Sequence, residues 1–126
     1  MEIINIAATE DTPKIILDHQ QGIFEISGRS LPEDVVVFYA PVMQWLDELV
    51  KNPINNLELS IKLEYFNTAS SKLILDILLK LEEIFQNGTP LKIKWFFNSS
   101  DTDMKEAGEE YSEIVSLPLE ITEYQG

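Results

Sequence analysis

Between Leu57 and Tyr65 apolar and polar residues alternate without a break. Leu57, Leu59, Ile61, Leu63 and Tyr65 fall on one side, and Glu58, Ser60, Lys62 and Glu64 on the other. A period of two over nine residues is the signature of a half-buried strand, predicted here over 56–66. Phe66 breaks the polar side at its end. The spacing then changes abruptly. Leu73, Ile74, Ile77, Leu78, Leu81, Ile84 and Phe85 recur at three and four, which predicts a helix over 69–86. Its polar face carries Lys72, Asp76, Lys80 and Glu83, with Asp76 and Lys80 placed to pair at i,i+4. Asn87-Gly88 stops it.

The same two periods organise the rest. Short alternating runs predict strands over 2–7, 14–18 and 23–28, the last two joined through His19-Gln20-Gln21-Gly22 as a hairpin. Val35, Val36, Tyr39, Val42, Met43, Leu46 and Leu49 predict a helix over 33–51. Pro41 lies inside it, so the helix is expected to kink there or to begin near Pro41 after one lead-in turn. Residues 91–97 alternate as a strand, Asn98 to Asp101 offers a cap, and Met104, Ala107, Gly108, Tyr111, Ile114 and Val115 predict a helix over 102–115. A short edge strand is expected at 119–122, with a frayed tail after Thr122. Successive strand–helix–strand units force parallel neighbours, while the hairpin supplies antiparallel edge strands. The expected fold is an α/β mixed sheet with an N-terminal antiparallel hairpin and about three helices packed on it, as a single domain over 1–126.

Charge narrows the function. Twenty-two acidic residues face nine basic ones, a net charge of -13 in 126 residues. Such a surface opposes binding to nucleic acid or to anionic membranes, since both need cations to displace counterions. It suits basic protein partners, or simply solubility. The chain has no cysteine, which excludes thiolate chemistry and disulfides and fits a reducing cytoplasm. Its N-terminus lacks the basic and apolar regions of a signal peptide, and no apolar run reaches the roughly 18 residues of a membrane helix. The lone histidine, His19, falls in the hairpin loop. No nucleophile elbow, phosphate-binding glycine loop or convergent carboxylate pair is present, since neighbours such as Glu82-Glu83 and Glu109-Glu110 diverge on a helix. No metal site, cofactor or catalytic group is expected.

One junction stands apart. The strand at 56–66 runs into Asn67-Thr68-Ala69-Ser70-Ser71-Lys72 and straight on into the helix. The C-terminal ends of strands in parallel sheets are where ligands and modifications are met, and a helix start tolerates phosphate. A plainer reading makes Thr68 or Ser70 the helix cap, which is compatible with the functional one.

Asn67-Thr68-x-Ser70-Ser71 at this place resembles the phosphorylation loop of STAS domains, the fold of anti-sigma-factor antagonists. The whole chain resembles the SiaC family of regulatory phosphoproteins more closely. The resemblance rests on Thr12-Pro13, on Ile23 to Glu33, on Phe38-Tyr39-Ala40-Pro41-Val42 with Trp45-Leu46, on Tyr65 to Lys72, and on Gly108-Glu109-Glu110-Tyr111. It implies a STAS-like fold and a cycle in which a protein kinase phosphorylates Thr68 and a PPM-type phosphatase removes the phosphate. The unphosphorylated form would bind and stimulate a diguanylate cyclase, raising cyclic di-GMP and favouring biofilm. The partner surface is expected to surround the junction, with Asn67, Ser70, Ser71, Lys72, Asp76 and Lys80. Lys72 stands where sporulation-type STAS antagonists usually carry Gly, which counts against the alternative of an anti-sigma-factor antagonist. A small-ligand carrier or enzyme is the third alternative.

Overall fold

In a computed structural model, which describes residues 2–126, the chain forms nine elements. They are β1 (Ile4–Ile6), β2 (Lys14–Asp18), β3 (Ile23–Ser30), α1 (Val35–Lys51), β4 (Leu57–Phe66), α2 (Thr68–Gln86), β5 (Leu91–Asn98), α3 (Thr102–Ile114) and β6 (Leu119–Tyr124). The six strands lie side by side in chain order. β1, β2 and β3 pair antiparallel, and β3 to β6 pair parallel. Right-handed crossovers that always step in one direction place every connecting helix on the same face. The sheet is therefore covered on one side and open on the other.

The core lies under the helices. Leu57, Leu59, Ile61 and Leu63 of β4 and Ile93, Trp95 and Phe97 of β5 meet Leu73, Ile74, Ile77, Leu78 and Leu81 of α2, with Tyr39, Val42, Trp45, Leu46 and Leu49 of α1 beside them. The open face is polar and knitted across strands by Lys14–Glu25, Lys92–Glu120 and Lys94–Glu58.

Two expectations change, and of the two readings of Pro41 the later helix start is excluded. α1 runs from Val35 through Pro41 without interruption, capped by Asp34, whose carboxylate accepts from the Val37 N–H at 3.2 Å. Pro41 deprives only the Val37 carbonyl of its donor, and Val37 is 67% exposed, so water can replace the bond. Tyr65 does not continue the buried side of β4. The β3–β4 register steps from Gly28↔Leu63 to Arg29↔Tyr65, so Glu64 is an extra residue that reverses the alternation. Gly28 takes a φ of 107° at this bulge, which only glycine adopts freely. Tyr65 turns outward under the Arg29 guanidinium, and Phe66 turns inward, edge-on to Trp95 at 6.2 Å. The end of the chain does not fray after Thr122. β6 continues to Tyr124, whose carbonyl accepts from the Ser99 N–H and whose ring lies 4.3 Å from the Lys62 ammonium.

Candidate functional site

The site begins where β4, a central strand, ends. The Asn67 N–H donates to the Ser30 carbonyl of β3 at 3.1 Å, holding the backbone in the sheet to the last residue. The Asn67 side chain then accepts from the Ser70 N–H at 2.8 Å. Asn67 is thus the cap of α2, in place of the expected Thr68 or Ser70, and its short amide suits the role. Thr68 becomes the first helical residue and is exposed.

The other two hydroxyls are spoken for. Ser70 is 0% exposed, so its expected place in a partner surface is corrected: it faces the core in phase with Leu73, Ile74 and Ile77. Its hydroxyl donates to the Ser30 carbonyl at 2.9 Å, and the Ser30 hydroxyl donates to Ser70 at 2.9 Å. Each hydroxyl has one proton, so Tyr39 must donate to Ser30 across their 2.6 Å contact. The relay Tyr39–Ser30–Ser70 fastens α1, β3 and α2 behind the junction. Burial pushes the Tyr39 phenol up from 10.0, partly offset by its bond to Ser30. Ser71 is half-buried; its hydroxyl donates to the Thr68 carbonyl, and its own carbonyl accepts from Tyr111 of α3 at 2.7 Å. Burial and the neighbouring Glu110 charge push the Tyr111 phenol up to about 12, against the lowering effect of its bond to Ser71.

In front of Thr68 the first turns of α1 and α2 leave an open notch of about 410 Å³, lined by Val35, Val36, Ala69, Leu73, Lys72 and Asp76 as well as Thr68 itself. Val36 is 67% exposed, which corrects its expected place in the buried stripe of α1. Three consecutive apolar residues, Val35-Val36-Val37, cannot all point inward on a helix, and that run was the available sign of an exposed apolar surface. Tyr65, 48% exposed, adds a further apolar group at the end of β4, which the bulge hid from the sequence.

Lys72 and Asp76 are exposed and line the notch, as their place on α2 suggested. Lys80 does not join them. It bridges to Asp47 of α1 at 3.0 Å and to Glu83 at 3.5 Å, not to Asp76. Its hydrogen bond to Asp47 raises its pKa and makes it a tie between helices, about 12 Å along α2 from Lys72.

Elsewhere the chemistry is sparse. Among the described residues no group of three or more His, Asp and Glu side chains is placed to hold a metal. Among the described residues no helix is long and apolar enough to cross a membrane. A depression of about 650 Å³ lies on the open sheet face among Glu25, Lys62, Glu64, Asp101 and Tyr124. Its charges are mixed, and Lys62 is held over Tyr124.

The fold and the site define a small layered α/β domain with an exposed threonine at a braced strand–helix junction, beside a notch with apolar walls. The chain belongs to the SiaC family of regulatory phosphoproteins, whose profile matches residues 6–124. An uncharacterized protein of Pseudomonas aeruginosa strain UCBPP-PA14 is 34% identical over 121 residues, 96% of each chain. SiaC of Pseudomonas aeruginosa superposes with a TM-score of 0.89 at 33% identity, covering 98% of this chain and 100% of that one. A crystal structure of the diguanylate cyclase SiaD in complex with its activator SiaC, from the same organism, matches with a TM-score of 0.90 at 33% identity, over 96% of this chain and 99% of that one.

Proposed function

We propose that this chain is a non-enzymatic, cytoplasmic phosphoswitch adaptor, a single STAS-like domain that in its unphosphorylated form binds and stimulates a diguanylate cyclase. A protein kinase phosphorylates Thr68, and a PPM-type phosphatase resets it. The observation that carries this reading is the contrast at the junction. Thr68 is exposed beside an apolar notch, whereas Ser70 is buried in a hydroxyl relay and Ser71 is bonded back to its own helix. The SiaC relative crystallised with its cyclase supports the choice of partner.

The physics of the switch is local. Val35 and Val36 offer apolar area that a partner would cover. Phosphorylation places roughly −1.5 to −2 charges and three acceptor oxygens beside that area. A partner packed there would have to desolvate a dianion, at a cost of several kcal/mol unless the partner supplies cations. About 1.4 kcal/mol already changes affinity tenfold. The fold need not change, because the relay and the Asn67 cap hold the junction whether or not Thr68 is modified.

Incubation with the kinase and ATP, followed by phosphopeptide mapping, tests the assignment. Phosphate on Thr68 in the wild-type protein, and none in Thr68→Ala, is the expected result. Phosphate on Ser71 with Thr68 unmodified would overturn it.

A further inference from the structure

The nine basic residues of this strongly acidic chain are not used alike. Lys14, Lys80, Lys92 and Lys94 form ion pairs. Arg29, Lys62 and Lys105 lie over aromatic rings. Among the described residues only Lys51 and Lys72 make neither contact. Lys51 sits in the last turn of α1, where the helix dipole favours a cation. Lys72 sits in the second turn of α2, near the end where a cation is disfavoured, and still has no acidic partner.

Lys72 follows Thr68 by four residues, so both project from one face of α2, with Cβ atoms about 5–6 Å apart. Both line the same notch. The order is the favourable one for a helical ion pair, with the anion N-terminal to the cation. The competing partner is Asp76, four residues beyond Lys72, in the unfavourable order and unbonded to it. Lys72 and Asp76 are the charged residues lining the notch, and α1 contributes only Val35 and Val36. At the start of α1 the Asp34 carboxylate accepts from the Val37 N–H, and neither it nor Glu33 lines the notch.

We infer that Lys72 is the built-in counter-ion of phosphorylated Thr68. Pairing draws the phosphate along α2 and into the notch, beside Val35 and Val36. The modification then acts from within: the hydrated phosphate–lysine pair occupies the apolar surface that a partner would use. The same pairing leaves Lys72 free in the unmodified protein and engaged in the modified one. This inference deepens the phosphoswitch reading and rests on Thr68 as the modified residue.

The test does not require the kinase. Phosphothreonine is installed at position 68 of the full chain by genetic-code expansion, in wild type and in Lys72→Gln. Lys72 is exposed, so the substitution leaves the core untouched; circular dichroism of both forms checks this. Phosphorus NMR titration reads the second pKa of the phosphate. It is expected to lie lower in the wild type than in Lys72→Gln by about 0.3 units or more, the shift an i,i+4 ion pair corresponds to. The Val36 amide resonance is expected to move on phosphorylation in the wild type and to move less in Lys72→Gln. An identical phosphate pKa in the two proteins would overturn the inference. Binding to the diguanylate cyclase separates it from the broader reading. A phosphoprotein that pairs with Lys72 yet binds the cyclase as tightly as the unmodified chain upholds the pairing and removes the switch. A phosphoprotein that loses binding with no pairing removes the pairing and leaves the switch.

Discussion

The hydroxyl of Tyr111 donates to the carbonyl of Ser71 across 2.7 Å, joining α3 to the second turn of α2 only three residues beyond Thr68. The junction is therefore braced from two sides: by Tyr111 on one flank and by the Tyr39–Ser30–Ser70 relay on the other. Tyr111→Phe removes the hydrogen bond but keeps the ring against Trp95. The expected loss is about 1 kcal/mol, seen as a lower urea midpoint with an unchanged slope.

The same tyrosines set an alkaline limit. Tyr111 is pushed from 10.0 to about 12 and Tyr39 is raised as well, both chiefly by burial. Between pH 10 and 12 the folded protein keeps a phenolic proton that the unfolded chain has released. The folded state then binds more protons, so stability falls as pH rises through this window and is fully present below it. Urea midpoints recorded from pH 8 upward should bend down above about pH 10, and less so in Tyr111→Phe.

α3 depends on a close approach. A Cβ at Gly108 would run into the Trp95 indole, whose N–H donates to the Met104 carbonyl at 2.9 Å. Because Trp95 is fully buried and the obstructing atoms belong to its rigid ring, α3 must shift to admit a methyl group. Gly108→Ala should destabilise the protein by about 1–3 kcal/mol despite the better helix propensity of alanine. Near-ultraviolet circular dichroism of Trp95 and the urea midpoint measure it.

The hydroxyls of the junction should separate cleanly. Asn67→Ala removes the helix cap and should cost about 0.5–2 kcal/mol. Thr68→Ala removes no cap and should change the urea midpoint far less. Ser70→Ala takes a member from a buried relay and leaves the Ser30 hydroxyl without its acceptor, which should cost about 1–3 kcal/mol. Equal losses for Thr68→Ala and Ser70→Ala would contradict this division.

These contrasts also mark what the sequence could reveal. The alternation from Leu57 to Leu63 and the stripe from Leu73 to Ile84 are local patterns, and both elements formed where the patterns lie. Ser70 was in phase with that stripe, three and four residues before Leu73 and Ile74, so its burial was legible. The outward turn of Tyr65 was not, because it follows from a register step between β3 and β4. Lys80 chose Asp47 over Asp76 because α1 lies alongside α2, a tertiary fact. The notch is tertiary too, since its walls come from helices separated by a strand.

Isothermal titration of the diguanylate cyclase with the full chain, unmodified and phosphorylated at Thr68, tests the central claim most directly. The unmodified protein is expected to bind, and the Thr68 phosphoprotein to bind at least tenfold more weakly, the change that about 1.4 kcal/mol produces. Equal affinity of the two forms would contradict the account.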